Sequence, residues 1–71
     1  MTLNDFKDKN VQKGDGLMLR FLNGQKLNGN YRGDLDSTEM TFSFYNTSTE
    51  EVQIIKIAEL EGFDWSSRAS S

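Results

Sequence analysis

From Leu17 to Tyr31 apolar side chains recur at alternate positions, and the rhythm breaks at Asn23-Gly24. Leu17, Leu19 and Phe21 alternate with Met18, Arg20 and Leu22. A period of two fits a strand with one strongly buried face and excludes a helix there. Asn-Gly is the dipeptide that best accepts the two positive φ angles of a type I′ hairpin. A returning strand is therefore predicted from Gln25 to about Gly33, with Leu27, Gly29 and Tyr31 on one face and Lys26, Asn28, Asn30 and Arg32 on the other. Gly29 in mid-strand marks a kink or a close backbone approach.

The same reading extends to both ends of the chain. Asp34 to Glu39 is polar and reads as a loop, and Met40 to Tyr45 as a third strand with Met40, Phe42 and Phe44 facing inward. Asn46 to Thr49 makes the next turn. Glu50 to Ile57 is a fourth strand whose Val52, Ile54, Ile55 and Ile57 make its second half apolar on both faces, so one face needs a partner. Ala58-Glu59-Leu60 fits a single 3₁₀ turn, and Glu61 to Trp65 a short last strand. Ahead of the hairpin, Thr2 to Lys13 has helical spacing at Leu3, Phe6 and Val11 or Asn10, with Thr2 and Asp5 placed as a capping box and Gly14-Asp15-Gly16 as a stop. The expected fold is mostly β: a short N-terminal helix, about residues 3–12, then a five-stranded, strongly bent antiparallel barrel. One domain spans residues 1–65, and residues 66–71 form a flexible polar tail.

The composition removes most chemistry from such a domain. The 71 residues include no His, no Cys and no Pro. Disulfides and thiol nucleophiles are therefore absent, zinc loses its sulfur and imidazole ligands, and the usual general base near neutral pH is missing. No catalytic residue, metal site, cofactor or small-molecule substrate is expected. Adjacent carboxylates such as Glu50-Glu51, or Glu59 and Glu61, lack the ligand spacing of a calcium loop and read as solubilising. No apolar run is long enough to cross a membrane, and the start Met-Thr-Leu-Asn-Asp lacks the pattern of a signal peptide, so a cytoplasmic location is expected. Arg32-Gly33-Asp34 and Asn46-Thr47-Ser48 match an adhesion tripeptide and a glycosylation acceptor, but without a secretion signal both read as turn chemistry.

A helix, a bent antiparallel meander and two last strands separated by one 3₁₀ turn resemble the Sm-like small-barrel family, an SH3-like architecture. The resemblance covers about residues 3–64. It rests on Leu17-x-Leu19, Asn23-Gly24, Leu27-x-Gly29-x-Tyr31, Asp36 and Met40-Thr41-Phe42 for the first motif, and on Ile54-Ile55-Lys56-Ile57 with Leu60 for the second. Thr41 stands where the family usually has Asn, Lys56 where it has Arg, and Ile57 where it has Gly.

The resemblance implies a non-catalytic homo-oligomeric ring of about five to seven subunits, closed by pairing the fourth strand of one subunit with the fifth of the next. Ile55, Ile57 and Phe63 are the expected interface residues. It also implies single-stranded or U-rich RNA bound near the pore by Asp36, Met40, Thr41 and Lys56. Met40 would offer a surface for a base, Thr41 a polar group for its edge, and Lys56 a cation for its phosphate. The net charge of −3 runs against nucleic-acid binding. Its distribution is uneven: residues 1–35 hold six basic and four acidic groups, residues 36–71 two and seven. Arg20, Lys26 and Arg32 could then form a basic face on the first hairpin. The alternative is a structural or adaptor barrel that contacts another protein and binds no RNA.

Overall fold

The alternation of the sequence becomes a five-stranded sheet. The computed structural model describes residues 1–68, and the last three residues of the expected tail lie outside them. Helix α1 (Leu3–Asp8) precedes strands β1 (Gly16–Phe21), β2 (Lys26–Asp36), β3 (Thr41–Asn46) and β4 (Glu51–Lys56). A 3₁₀ turn (Ile57–Glu59) leads to β5 (Leu60–Ser67). All pairings are antiparallel, in the order β4-β3-β2-β1-β5. Among the described residues neither β4 nor β5 pairs on its far side, so the sheet is not closed by hydrogen bonds. It is nevertheless bent, because every strand contributes to one core. Leu17 and Leu19 of β1, Tyr31 of β2, Phe42 and Phe44 of β3, Ile55 of β4 and Leu60 and Phe63 of β5 cluster with Ile57 and with Phe6 of α1.

Helix α1 is held at its start as its residues predict. The Thr2 hydroxyl accepts from the Asp5 amide at 3.1 Å, and the Asp5 carboxylate accepts from the Thr2 amide at 3.3 Å. The hydrogen bonds with Thr2 hold the exposed Asp5 carboxyl below its ordinary range. The helix ends at Asp8 rather than near residue 12, because Asn10 turns to a φ of 56° while the Lys9 and Asn10 amides close onto Phe6 and Lys7 carbonyls. Asn tolerates that left-handed conformation better than most residues. Phe6 is the one buried helix residue, its ring stacked on Phe42 with centroids 4.7 Å apart.

Three further boundaries differ from the sequence expectation. β2 does not stop at Gly33: Gly33 and Asp34 take positive φ angles of 84° and 54°, and the register with β3 shifts there, so the strand bulges and continues to Asp36. The first hairpin is not a type I′ turn. The Gly24 amide donates to the Phe21 carbonyl at 3.0 Å, Phe21 donates to Gln25 at 2.9 Å, and only Gly24 of the pair has a positive φ, 90°. This is a three-residue loop, a turn followed by a left-handed glycine. β5 runs on to Ser67, so Ser66 and Ser67 belong to the sheet rather than to a tail.

The two remaining hairpins use one device twice. In Asp36-Ser-Thr-Glu-Met40 and Asn46-Thr-Ser-Thr-Glu50 the first side chain accepts two loop amides through Oδ1. These are Thr38 and Glu39 at 2.9 and 3.0 Å in the first loop, and Ser48 and Thr49 at 2.9 and 3.4 Å in the second. The fifth residue then reverses the chain with a positive φ, 57° at Met40 and 58° at Glu50. A non-glycine residue there is penalised by about 1 kcal/mol, which exceeds the extra chain entropy that glycine loses on folding. Glu50→Gly should therefore raise the unfolding free energy by about 0.5 kcal/mol. Urea titration reads this as a higher midpoint at unchanged slope, and a lower midpoint would contradict the strain assigned to Glu50.

Candidate functional site

The hairpin loop before β3 and the end of β4 meet at one corner of the sheet. Asp36 pairs in register with Thr41, and Thr41 with Lys56, which sets the three in one row across β2, β3 and β4. Met40 adjoins the row, and its carbonyl accepts from the Ile57 amide at 3.0 Å, tying the loop to the 3₁₀ turn. All four residues expected to contact RNA are thus brought together. Their environments differ. Met40 is 45% exposed for a residue that alternation placed inward. Its left-handed backbone takes it out of the strand and frees its thioether side chain at the surface. Lys56 is exposed and Thr41 half-buried. Asp36 uses Oδ1 to hold its own loop.

The expected interface residues lie elsewhere. Ile55, Ile57 and Phe63 are 5%, 0% and 7% exposed and pack inside the core of their own chain. With Ile55 inward, alternation turns Val52, Ile54 and Lys56 outward, and Val52 and Ile54 are 54% and 66% exposed. The apolar surface on the edge strand β4 is therefore Val52 and Ile54, beside Tyr45 and Ser43 on β3. The charged end of Lys56 was the available signal: it belongs in water, so residues of its parity do too.

The expected basic face is dispersed. Arg20 and Lys26 are register partners, but Arg20 lies against two acids of β5, Glu61 at 3.7 Å and Asp64 at 3.3 Å. Its guanidinium sits over Gly62, where no side chain competes for the space. Arg32 lies six residues along β2 from Lys26, about 20 Å at the rise of a strand, and is exposed. Asn46 of the glycosylation-like string is 3% exposed, its Oδ1 accepts from the loop and its Nδ2 donates to Gln53 of β4, which leaves it inaccessible to a transferase.

A polar contact that sequence reasoning missed ties the chain together near its ends. Buried Asp15 accepts the Gln12 amide and the Trp65 indole N–H through Oδ2, both at 3.0 Å. Trp65 also packs edge-on against Phe63 and carries the Arg68 guanidinium 4.3 Å from its ring centre. Burial, and then the charge of Asp34, raise the Tyr31 phenol above its ordinary range. Among the described residues no three acidic side chains converge as a metal site would require, and no helix is long and apolar enough to cross a membrane.

Comparison with known proteins gives no matching family model, no similar curated protein and no similar solved structure.

Proposed function

We propose that the chain is a non-catalytic, ring-forming protein of Sm-like type that binds single-stranded, U-rich RNA beside the joint between subunits. The observation that carries the reading is the row Asp36–Thr41–Lys56, which ends on the edge strand β4 with exposed Met40 alongside. An edge strand is a template for another strand, and pairing β4 of one copy with β5 of the next closes both free edges. Val52 and Ile54 would then be covered in place of Ile55, Ile57 and Phe63. Rotation repeats the row around an axis, so a contact set with one lysine per subunit becomes multivalent. Met40 supports a stacked base, Thr41 its polar edge and Lys56 the phosphate, while Asp36 keeps the loop in shape.

The adaptor reading is favoured by one observation, an exposed apolar pair on an acidic chain. Two measurements separate them. Light scattering should give several times the 8.1 kDa of one chain, and fluorescence anisotropy should detect an oligo-uridine whose affinity falls as salt rises. Lys56→Ala should weaken that binding by about tenfold while leaving the mass unchanged, since its side chain points away from the core. A monomer at micromolar concentration refutes the ring, and no binding at low salt refutes the RNA reading in favour of the adaptor.

A further inference from the structure

Two Asn-Gly steps occur in this chain, Asn23-Gly24 and Asn28-Gly29, and the fold treats them differently. Asn followed by Gly is the dipeptide most prone to deamidation, because no side chain shields the glycine nitrogen. Both asparagines are exposed, so access does not distinguish them. Backbone freedom does. Gly29 sits in the interior of the sheet, in register with Leu17 of β1 and Asn46 of β3. The Asn28 carbonyl accepts from both the amide and the hydroxyl of Thr47 at 3.2 and 3.0 Å. Rotating Asn28 toward the Gly29 nitrogen requires parting three strands. Asn23 and Gly24 lie in the three-residue loop at the sheet's end, held by the Phe21–Gly24 and Phe21–Gln25 bonds and by the Leu22 amide on the Glu59 carbonyl, so local opening leaves the strand registers in place.

The loop also supplies chemistry. The Gln25 amide donates to Asn23 Oδ1 at 2.9 Å, a donor aimed at the oxygen that becomes negative when the side-chain carbonyl is attacked. Asn23 also lines an open pocket of about 310 Å³ with Phe21, Leu22, Gln25, Ala58 and Glu59.

We propose that Asn23 is a site of spontaneous backbone-directed modification in the folded protein. The Gly24 nitrogen loses its proton to hydroxide and attacks Asn23 Cγ; the N–Cγ bond forms, the Cγ–Nδ2 bond breaks, and ammonia leaves after taking a proton from water. Water then opens the succinimide at one carbonyl or the other, giving aspartate or isoaspartate. Each product adds one negative charge to a chain already at −3. Aspartate keeps the acceptor for the Gln25 amide. Isoaspartate lengthens the main chain by one carbon and disrupts the bonds that close the loop.

Trypsin makes the test direct, because Arg20, Lys26 and Arg32 bracket the two steps in separate peptides, residues 21–26 and 27–32. Native protein is held in mildly alkaline buffer, digested at intervals and read by mass spectrometry. Peptide 21–26 should gain the deamidation mass about tenfold or more faster than 27–32, and resolve into two products of equal mass. In urea the two rates should converge. Asn23→Asp, which retains the loop acceptor, should abolish any further gain in 21–26. Equal rates in the folded protein, or an unchanged 21–26 peptide, would overturn the assignment.

Discussion

Phe42→Ala lowers the thermal midpoint by about 20 °C or more, the largest effect expected of any substitution in the core. Phe42 is fully buried at the centre of the aromatic cluster: Phe6 is stacked on it at 4.7 Å, Tyr31 is tilted against it at 5.4 Å, and Phe44 meets it edge-on at 6.5 Å. Deleting such a ring costs about 3–5 kcal/mol in lost transfer energy and residual cavity. A domain of this length has only about 4–11 kcal/mol to lose. The substitution also removes the ring on which Phe6 stacks, leaving it only Tyr31 and Phe63 to pack against, and so loosens the hold on α1, six residues long. Far-ultraviolet circular dichroism on heating should therefore show a low midpoint and a broadened transition. Phe42→Leu, which keeps most of the volume, should fall by only a few degrees. An alanine variant melting within a few degrees of the parent would mean that the cluster is not the centre of the core.

The parity of that core is legible in the sequence. Alternation alone places Leu17, Leu19, Phe42 and Phe44 inward, and all four are fully buried. Element ends were less legible, for physical reasons. Gly33 at a positive φ has the same composition whether it closes a strand or bulges one, and only its pairing across β3 tells the two apart. Asn23-Gly24 marks a turn in either of two loop lengths. The candidate row is readable only through the family resemblance, because Lys56 is remote in sequence from the Asp36–Thr41 hairpin and joins it only by register. The outward face of β4 was obscured by Ile54-Ile55-Lys56-Ile57, where apolar residues occupy both parities. The acids that neutralise Arg20 come from the last strand, a pairing that no local pattern announces.

Gly29→Ala should destabilise the protein by about 3 kcal/mol, the upper end of what overpacking costs, and lower the thermal midpoint by about 15 °C. The position is central in the sheet, between Leu17 of β1 and Asn46 of β3. A methyl group there would land on the carbonyl oxygen of Tyr45 and 2.8–2.9 Å from the Phe44 ring. The oxygen belongs to the backbone of β3 and the ring to a fully buried side chain, so neither yields without parting β2 from β3. Alanine restricts the unfolded chain and on that ground alone would stabilise by about 0.4–1 kcal/mol, well short of the steric cost. Gly62→Ala is the matched control. There the nearest atom is the Arg20 Nη2 at 2.9 Å, the far end of a flexible side chain that can swing aside. The two variants should therefore separate by at least about 2 kcal/mol in urea unfolding at equal slope. A Gly29→Ala protein as stable as Gly62→Ala would show that β2 and β3 do not approach as closely at Gly29 as their register demands.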